Sequence, residues 1–143
     1  MNCRAICTAV MMSCACATVS AGDFRSEDVL FYGRDSLNYA GTLTVPEDGV
    51  KRHTAVLIVS GSYPQDKDGT MAGHKIYKEI AEYLSARGVA VLRVDDRGVG
   101  GSGGDYSLAT TYDFSDDVIA AVEYLKGRPD IARRRIGGLG HSE

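Results

Sequence analysis

The residues able to do chemistry stand at the end of the sequence, where Ile136-Gly137-Gly138-Leu139-Gly140 runs into His141-Ser142-Glu143. A serine two residues after a glycine, at the end of an apolar strand, suits a nucleophile on a sharp turn whose crowded backbone tolerates only small neighbours. Gly140 is the first small neighbour of the pattern Gly-x-Ser-x-Gly, and the second would follow Glu143. A hydroxyl so placed attacks an acyl carbonyl. The oxyanion that forms needs backbone N–H donors held about 3 Å from it. The serine also needs a histidine to take its proton and a carboxylate to orient that histidine. His53, His74 and His141 all precede Ser142, and none is assigned as that base. His53 falls on a loop, His74 at a helix start, and His141, beside the serine, turns to the opposite side of the strand end.

The elements that must position this turn can be read upstream. Val29 to Tyr32 and Leu37 to Val45 alternate apolar and polar around Gly33-Arg34-Asp35-Ser36, and Pro46 closes the second run. That pattern predicts an antiparallel hairpin. Thr54 to Val59 is apolar at nearly every position, as a strand buried on both faces requires. A long polar loop follows, from Ser62 to Gly73. Ile76, Ile80, Tyr83 and Leu84 then recur at helical spacing within residues 74–87, and Gly88 supplies a C-terminal cap. Val89 to Val94 returns to strand, so strand, helix and strand form a right-handed parallel crossover. Asp113 caps a second helix whose apolar face is Phe114, Val118, Ala121, Val122 and Leu125, and Pro129 ends it. Arg133-Arg134-Arg135 reads as a solvated lead into the strand Ile136 to Gly140. No internal repeat or second domain is evident.

Three segments, each following a strand, carry a resemblance: Val59-Ser60-Gly61-Ser62-Tyr63-Pro64-Gln65-Asp66, Asp95-Asp96-Arg97-Gly98-Val99-Gly100-Gly101-Ser102, and Gly140-His141-Ser142-Glu143. In this order they resemble the N-terminal half of an α/β-hydrolase, in the bacterial carboxylesterase and serine-peptidase-like branch, from about Val29 onward. The resemblance implies an α/β fold with a mostly parallel sheet, helices on both faces and a flanking N-terminal hairpin, cut after the strand that bears the nucleophile. It implies Ser142 as nucleophile and the backbone N–H groups of Ser62 and Glu143 as oxyanion donors. Tyr63 stands where the family commonly has a second glycine. The Asp95-Asp96-Arg97-Gly98 turn is expected to tie loops together beneath the site. In this fold the acid and the histidine follow the serine. Losing the histidine costs on the order of 10⁶ in turnover, so the chain as written is expected to be nearly inert. The implied substrate is a small-molecule carboxylic ester or a peptide, and a non-catalytic binding protein on the same fold is the alternative class.

Composition narrows the partners. The chain has 143 residues, is 44% hydrophobic and 24% charged, and carries a net charge of -3, which suits one soluble domain and offers no basic patch for nucleic acid. All four cysteines, Cys3, Cys7, Cys14 and Cys16, lie in the first sixteen residues. Arg4, the apolar run Ala5 to Val19 and the small residues of Val19-Ser20-Ala21 have the three-part build of a secretory signal peptide. Cleavage after Ala21 would leave residues 22–143 as part of one exported domain without cysteines. A lipid-modified Cys14 and a cytosolic N-terminus are the other readings. The run is too short and interrupted for a stable membrane span.

No metal or cofactor is called for. Gly98-Val99-Gly100-Gly101-Ser102-Gly103 matches Gly-x-Gly-x-x-Gly, but a dinucleotide site needs a helix to open there, and residues 104–113 read as polar turns. Asp66-Lys67-Asp68-Gly69 resembles the start of a calcium loop, yet its glycine comes early and Tyr77 stands where glutamate would be needed.

Overall fold

The computed structural model describes residues 22–142. The signal-peptide reading of residues 1–21 and the donor assigned to Glu143 lie outside them. Strand β1, Phe24–Tyr32, pairs antiparallel with β2, Asn38–Pro46, in unbroken register from Phe24 opposite Pro46 to Tyr32 opposite Asn38. The hairpin thus starts earlier than its alternation suggests. Its polar beginning is held by ion pairs, Arg25 to Asp130 at 2.6 Å and Glu27 to Arg128 at 2.6 Å.

The core of the sheet is β3, His53–Val59, flanked by β6, Val89–Val94, and β7, Ile131–Gly140. The β6 and β7 strands both run parallel to β3, while β2 joins β6 antiparallel, which sets the order β1-β2-β6-β3-β7. Alternate residues of the apolar runs serve opposite faces. Leu57 and Leu92 face one buried cluster with Leu43, Val45 and Leu125, and Ile58 and Val91 face the other with Tyr77 and Ala81. Covering both faces is the reason these strands are continuously apolar.

The first face is covered by helix α2, Thr111–Gly127, and the second by α1, Ile76–Ser85. Several local expectations need correction. Helix α1 begins at Ile76, because His74–Lys75 (β5) pairs with Thr70–Met71 (β4) in a ribbon turned by Ala72 and Gly73, both at positive φ. Its buried face is Tyr77, Ala81 and Ser85, whereas Ile76 and Tyr83 are exposed. Ser85 is tolerated inside because its hydroxyl donates to Thr44 Oγ1 at 2.7 Å. The N-cap of α2 is Thr110, and Asp113 completes a reciprocal capping box by accepting from the Thr110 N–H at 2.7 Å. The arginine triplet lies within β7, exposed: while β3 advances from His53 to Ala55, β7 advances from Ile131 to Ile136, and the extra residues bulge out.

Candidate active site

After Gly140 the ladder makes one more bond, from His141 N–H to the Val59 carbonyl at 3.1 Å, and then the chain turns. Ser142 follows at φ 69°, exposed. A non-glycine residue in the left-handed region is strained by roughly 1–2 kcal/mol, and such strain persists where surrounding structure enforces it. This is the conformation a serine needs to stand clear of a strand end.

The loop after β3 passes directly against this turn. A Cβ at Gly61 would lie 2.5 Å from the His141 carbonyl oxygen and 2.8 Å from Ser142 Cβ, so only glycine lets the two backbones come this close. Ser62, the assigned donor position, is the next residue and is exposed. Tyr63 takes φ 71°, a glycine-like conformation, with its side chain 80% exposed.

Two carboxylates, Asp95 buried and Asp96 half-buried, hold that loop from beneath. Asp96 accepts from the Ser60 hydroxyl at 2.5 Å and the Gln65 N–H at 2.8 Å, and its own N–H donates to the Gln65 carbonyl at 3.1 Å. Burial raises the Asp96 carboxyl above its ordinary value, against the lowering effect of those two bonds. Asp95 accepts from Lys67 N–H at 2.8 Å and Gly101 N–H at 3.1 Å. Arg97 bridges to α2, with Nη2 2.5 Å from Asp117 and 3.3 Å from the Asp113 carbonyl, and Tyr39 donates to the same Asp117. The Asp-Asp-Arg-Gly turn therefore ties loops under the site.

The same bonds bear on the two discounted motifs. The Gly101 amide is already engaged by Asp95, and the Gly-rich segment leads to the short 3-10 turn Tyr106–Leu108 rather than opening a helix. Asp66 caps the amides of Asp68 and Thr70, and Asp68 pairs with Lys75 and Arg93. Among the described residues no cluster of three or more His, Cys, Asp or Glu is placed for a metal, and no helix is long and apolar enough to cross a membrane.

None of the three histidines reaches Ser142 as a base. His53 is buried in β3 rather than on a loop, with Nε2 3.9 Å from Asp48, and His74 is exposed in the β5 ribbon rather than at a helix start. His141 faces α1, where its Nδ1 lies 3.1 Å from the Tyr77 hydroxyl. Sequence reasoning missed Tyr77 because it took Ile76, Ile80, Tyr83 and Leu84 as the inward face of this helix, which leaves Tyr77 off it. A cavity of about 370 Å³ opens beside the loop, lined by Ser60 and Gly61 and by Leu57, Val59, Phe114 and Val118.

A parallel-cored sheet covered on both faces, with a strained serine at a strand end against a glycine-bearing loop, defines an α/β-hydrolase. Within that class the chain belongs to the serine aminopeptidase (S33) family, whose profile matches residues 68–143, more than half of the sequence. It is 34% identical over 124 residues to the esterase EstD of Thermotoga maritima, covering 87% of this chain and 28% of EstD. Among solved structures it resembles the α/β-hydrolase GrgF from Penicillium sp. sh18 (TM-score 0.68, 26% identity, 81% of this chain, 37% of GrgF). It also resembles the Pyrococcus furiosus esterase Pf2001 (TM-score 0.63, 28% identity, 82% of this chain, 40% of Pf2001). The chain thus spans well under half the length of these relatives.

Proposed function

We propose that this chain is the N-terminal part of an exported serine hydrolase that cleaves carboxylic esters through an acyl-enzyme. The observation that carries the reading is Ser142 at φ 69° with its Cβ 2.8 Å from where a Cβ on Gly61 would stand. Likeness to two esterases, EstD and Pf2001, favours an ester as substrate. In the proposed reaction Ser142 Oγ bonds to the ester carbonyl carbon and its proton passes through a base to the departing alkoxide. The alcohol leaves, and water then cleaves the acyl-serine, returning the proton to Ser142. The Ser62 and Glu143 amides stabilise the oxyanion in both halves. The base and its orienting acid come from chain beyond Glu143, as the order of the fold implies, so residues 22–143 alone are inert. The family description as serine aminopeptidases supports a second substrate class, the peptide bond.

The test is made on the protein isolated from its source, with whatever chain follows Glu143. A fluorophosphonate should modify Ser142, and p-nitrophenyl butyrate should be hydrolysed faster than an aminoacyl p-nitroanilide. Ser142→Ala should abolish labelling and lower kcat by about 10⁶-fold. Faster anilide cleavage would select the peptidase reading, and an unlabelled Ser142 would leave a non-catalytic member of the fold. An intact mass lacking residues 1–21 would support export.

A further inference from the structure

The phenol of Tyr77 is nearly inaccessible, with 3% of the residue exposed, yet its oxygen has polar partners on two different segments, the loop after β3 and the turn after β7. Its hydroxyl donates to Gln65 Oε1 at 2.7 Å. Gln65 in turn donates from Nε2 to the Ser62 carbonyl at 3.1 Å. His141 Nδ1 lies 3.1 Å from the phenol oxygen, and the two rings meet edge to face at 5.7 Å.

A phenol has one proton to donate, and its oxygen can also accept. The proton is used on Gln65, so at its contact with His141 the phenol oxygen accepts, which assigns His141 the Nδ1–H tautomer. Burial raises the Tyr77 phenol above its ordinary value, which keeps it a donor at neutral pH. The ring is itself immobilised: a Cβ on Gly69 would stand 2.6 Å from it, and the Tyr77 N–H donates to the Asp68 carbonyl at 3.0 Å. One hydroxyl therefore touches Gln65, whose side chain holds the Ser62 carbonyl, and the residue preceding Ser142.

We infer that Tyr77 is a positioning residue, its hydroxyl clasping the loop Gly61 to Gln65 against the His141-Ser142 turn so that the oxyanion donors stand at fixed distance from the nucleophile. The inference rests on the hydrolase reading above. Tyr77 touches no reacting atom. It acts by holding the Ser62 peptide in place, and because preorganised donors stabilise the transition state more than the bound ester, its loss should appear in kcat rather than KM.

Tyr77→Phe tests this in the protein isolated with its full chain, because it removes only the oxygen and keeps the ring packed on Gly69. Removing an oxyanion donor outright costs about 10²–10³ in kcat, so losing its support should lower kcat by about tenfold with KM within about twofold. Hydrogen exchange of the amides in residues 60–66 should quicken by about tenfold while the unfolding midpoint stays nearly unchanged. Gln65→Leu should act in the same direction, and the double variant should be no slower than the slower single one, since both break one clasp. Unchanged kcat in an active enzyme, or unchanged exchange of residues 60–66, would overturn the inference. If the parent protein hydrolyses no ester and Ser142 stays unlabelled, the hydrolase reading falls, and the exchange measurement alone then decides whether the clasp exists.

Discussion

Gly61 and Ser142 make opposite demands on the backbone. Gly61 needs to be glycine for space, since no positive φ is required of it and a Cβ would stand within 2.8 Å of Ser142 Cβ. Ser142 instead accepts a strained φ to present its hydroxyl. Gly61→Ala should therefore push the loop away from Ser142, the proposed nucleophile. A displacement near 1 Å at a reacting centre costs about 10²-fold, so the variant should show roughly that loss in kcat while still folding. Steady-state kinetics with a circular-dichroism melt checks both parts. Parent-like turnover would mean the two segments are not held at this separation. Tyr63 accepts a similar strain at φ 71° without burying its ring, so the turn geometry, not the packing of its side chain, dictates its backbone.

At the scale of elements, the molecule is fastened where burial is weakest. Strand β1 lies at the sheet edge, and its polar start is joined to the α2–β7 connection through Arg25, Glu27, Arg128 and Asp130. Arg128 grips Asp130 with two bonds, 3.0 and 2.8 Å. The hydrogen bond from Arg128 is the main reason the Asp130 carboxyl lies below its ordinary value. A depressed folded value means the stabilisation is complete above the unfolded carboxylate value, near 3.9, and is lost as pH falls through the folded one. Asp130→Asn should lower the melting temperature at neutral pH and flatten its decline below about pH 4. Partial exposure lets salt screen the pairs, so the difference should shrink in high salt. Identical acid limbs for parent and variant would assign the decline to other carboxylates.

The whole molecule has one sheet edge sealed by a hairpin strand with ionic neighbours and another formed by β7, which pairs only with β3 among the described residues. Gly137, Gly138 and Gly140 offer no side chain there, and a Cβ at any of them would meet nothing within 4 Å. A bare backbone edge is a template for pairing with another chain. Residues 22–143 expressed alone should accordingly scatter light and bind an amyloid dye at micromolar concentration, whereas the protein isolated from its source should not. A sharp, reversible unfolding transition of the isolated segment would contradict this. The hairpin, the central strands β3 and β6, the end of β7 and the existence of two helices were legible in the sequence because each depends on local chemistry, continuous apolar runs and helical spacing, whereas the β4–β5 ribbon and the bulged start of β7 were not. Ser142 and the loop from Ser60 to Gln65 were named through the resemblance of the three ordered segments, not from local chemistry alone. The rotation of α1 was not legible either, since Ile76 and Tyr77 are both acceptable on an apolar face. Only packing against β3 and β6 decided which of the two turns inward. The same is true of Tyr77 meeting His141 across 64 residues and Arg25 meeting Asp130 across 105. Such pairs leave no trace in local periodicity, because they exist only once the sheet has brought distant segments within hydrogen-bond reach.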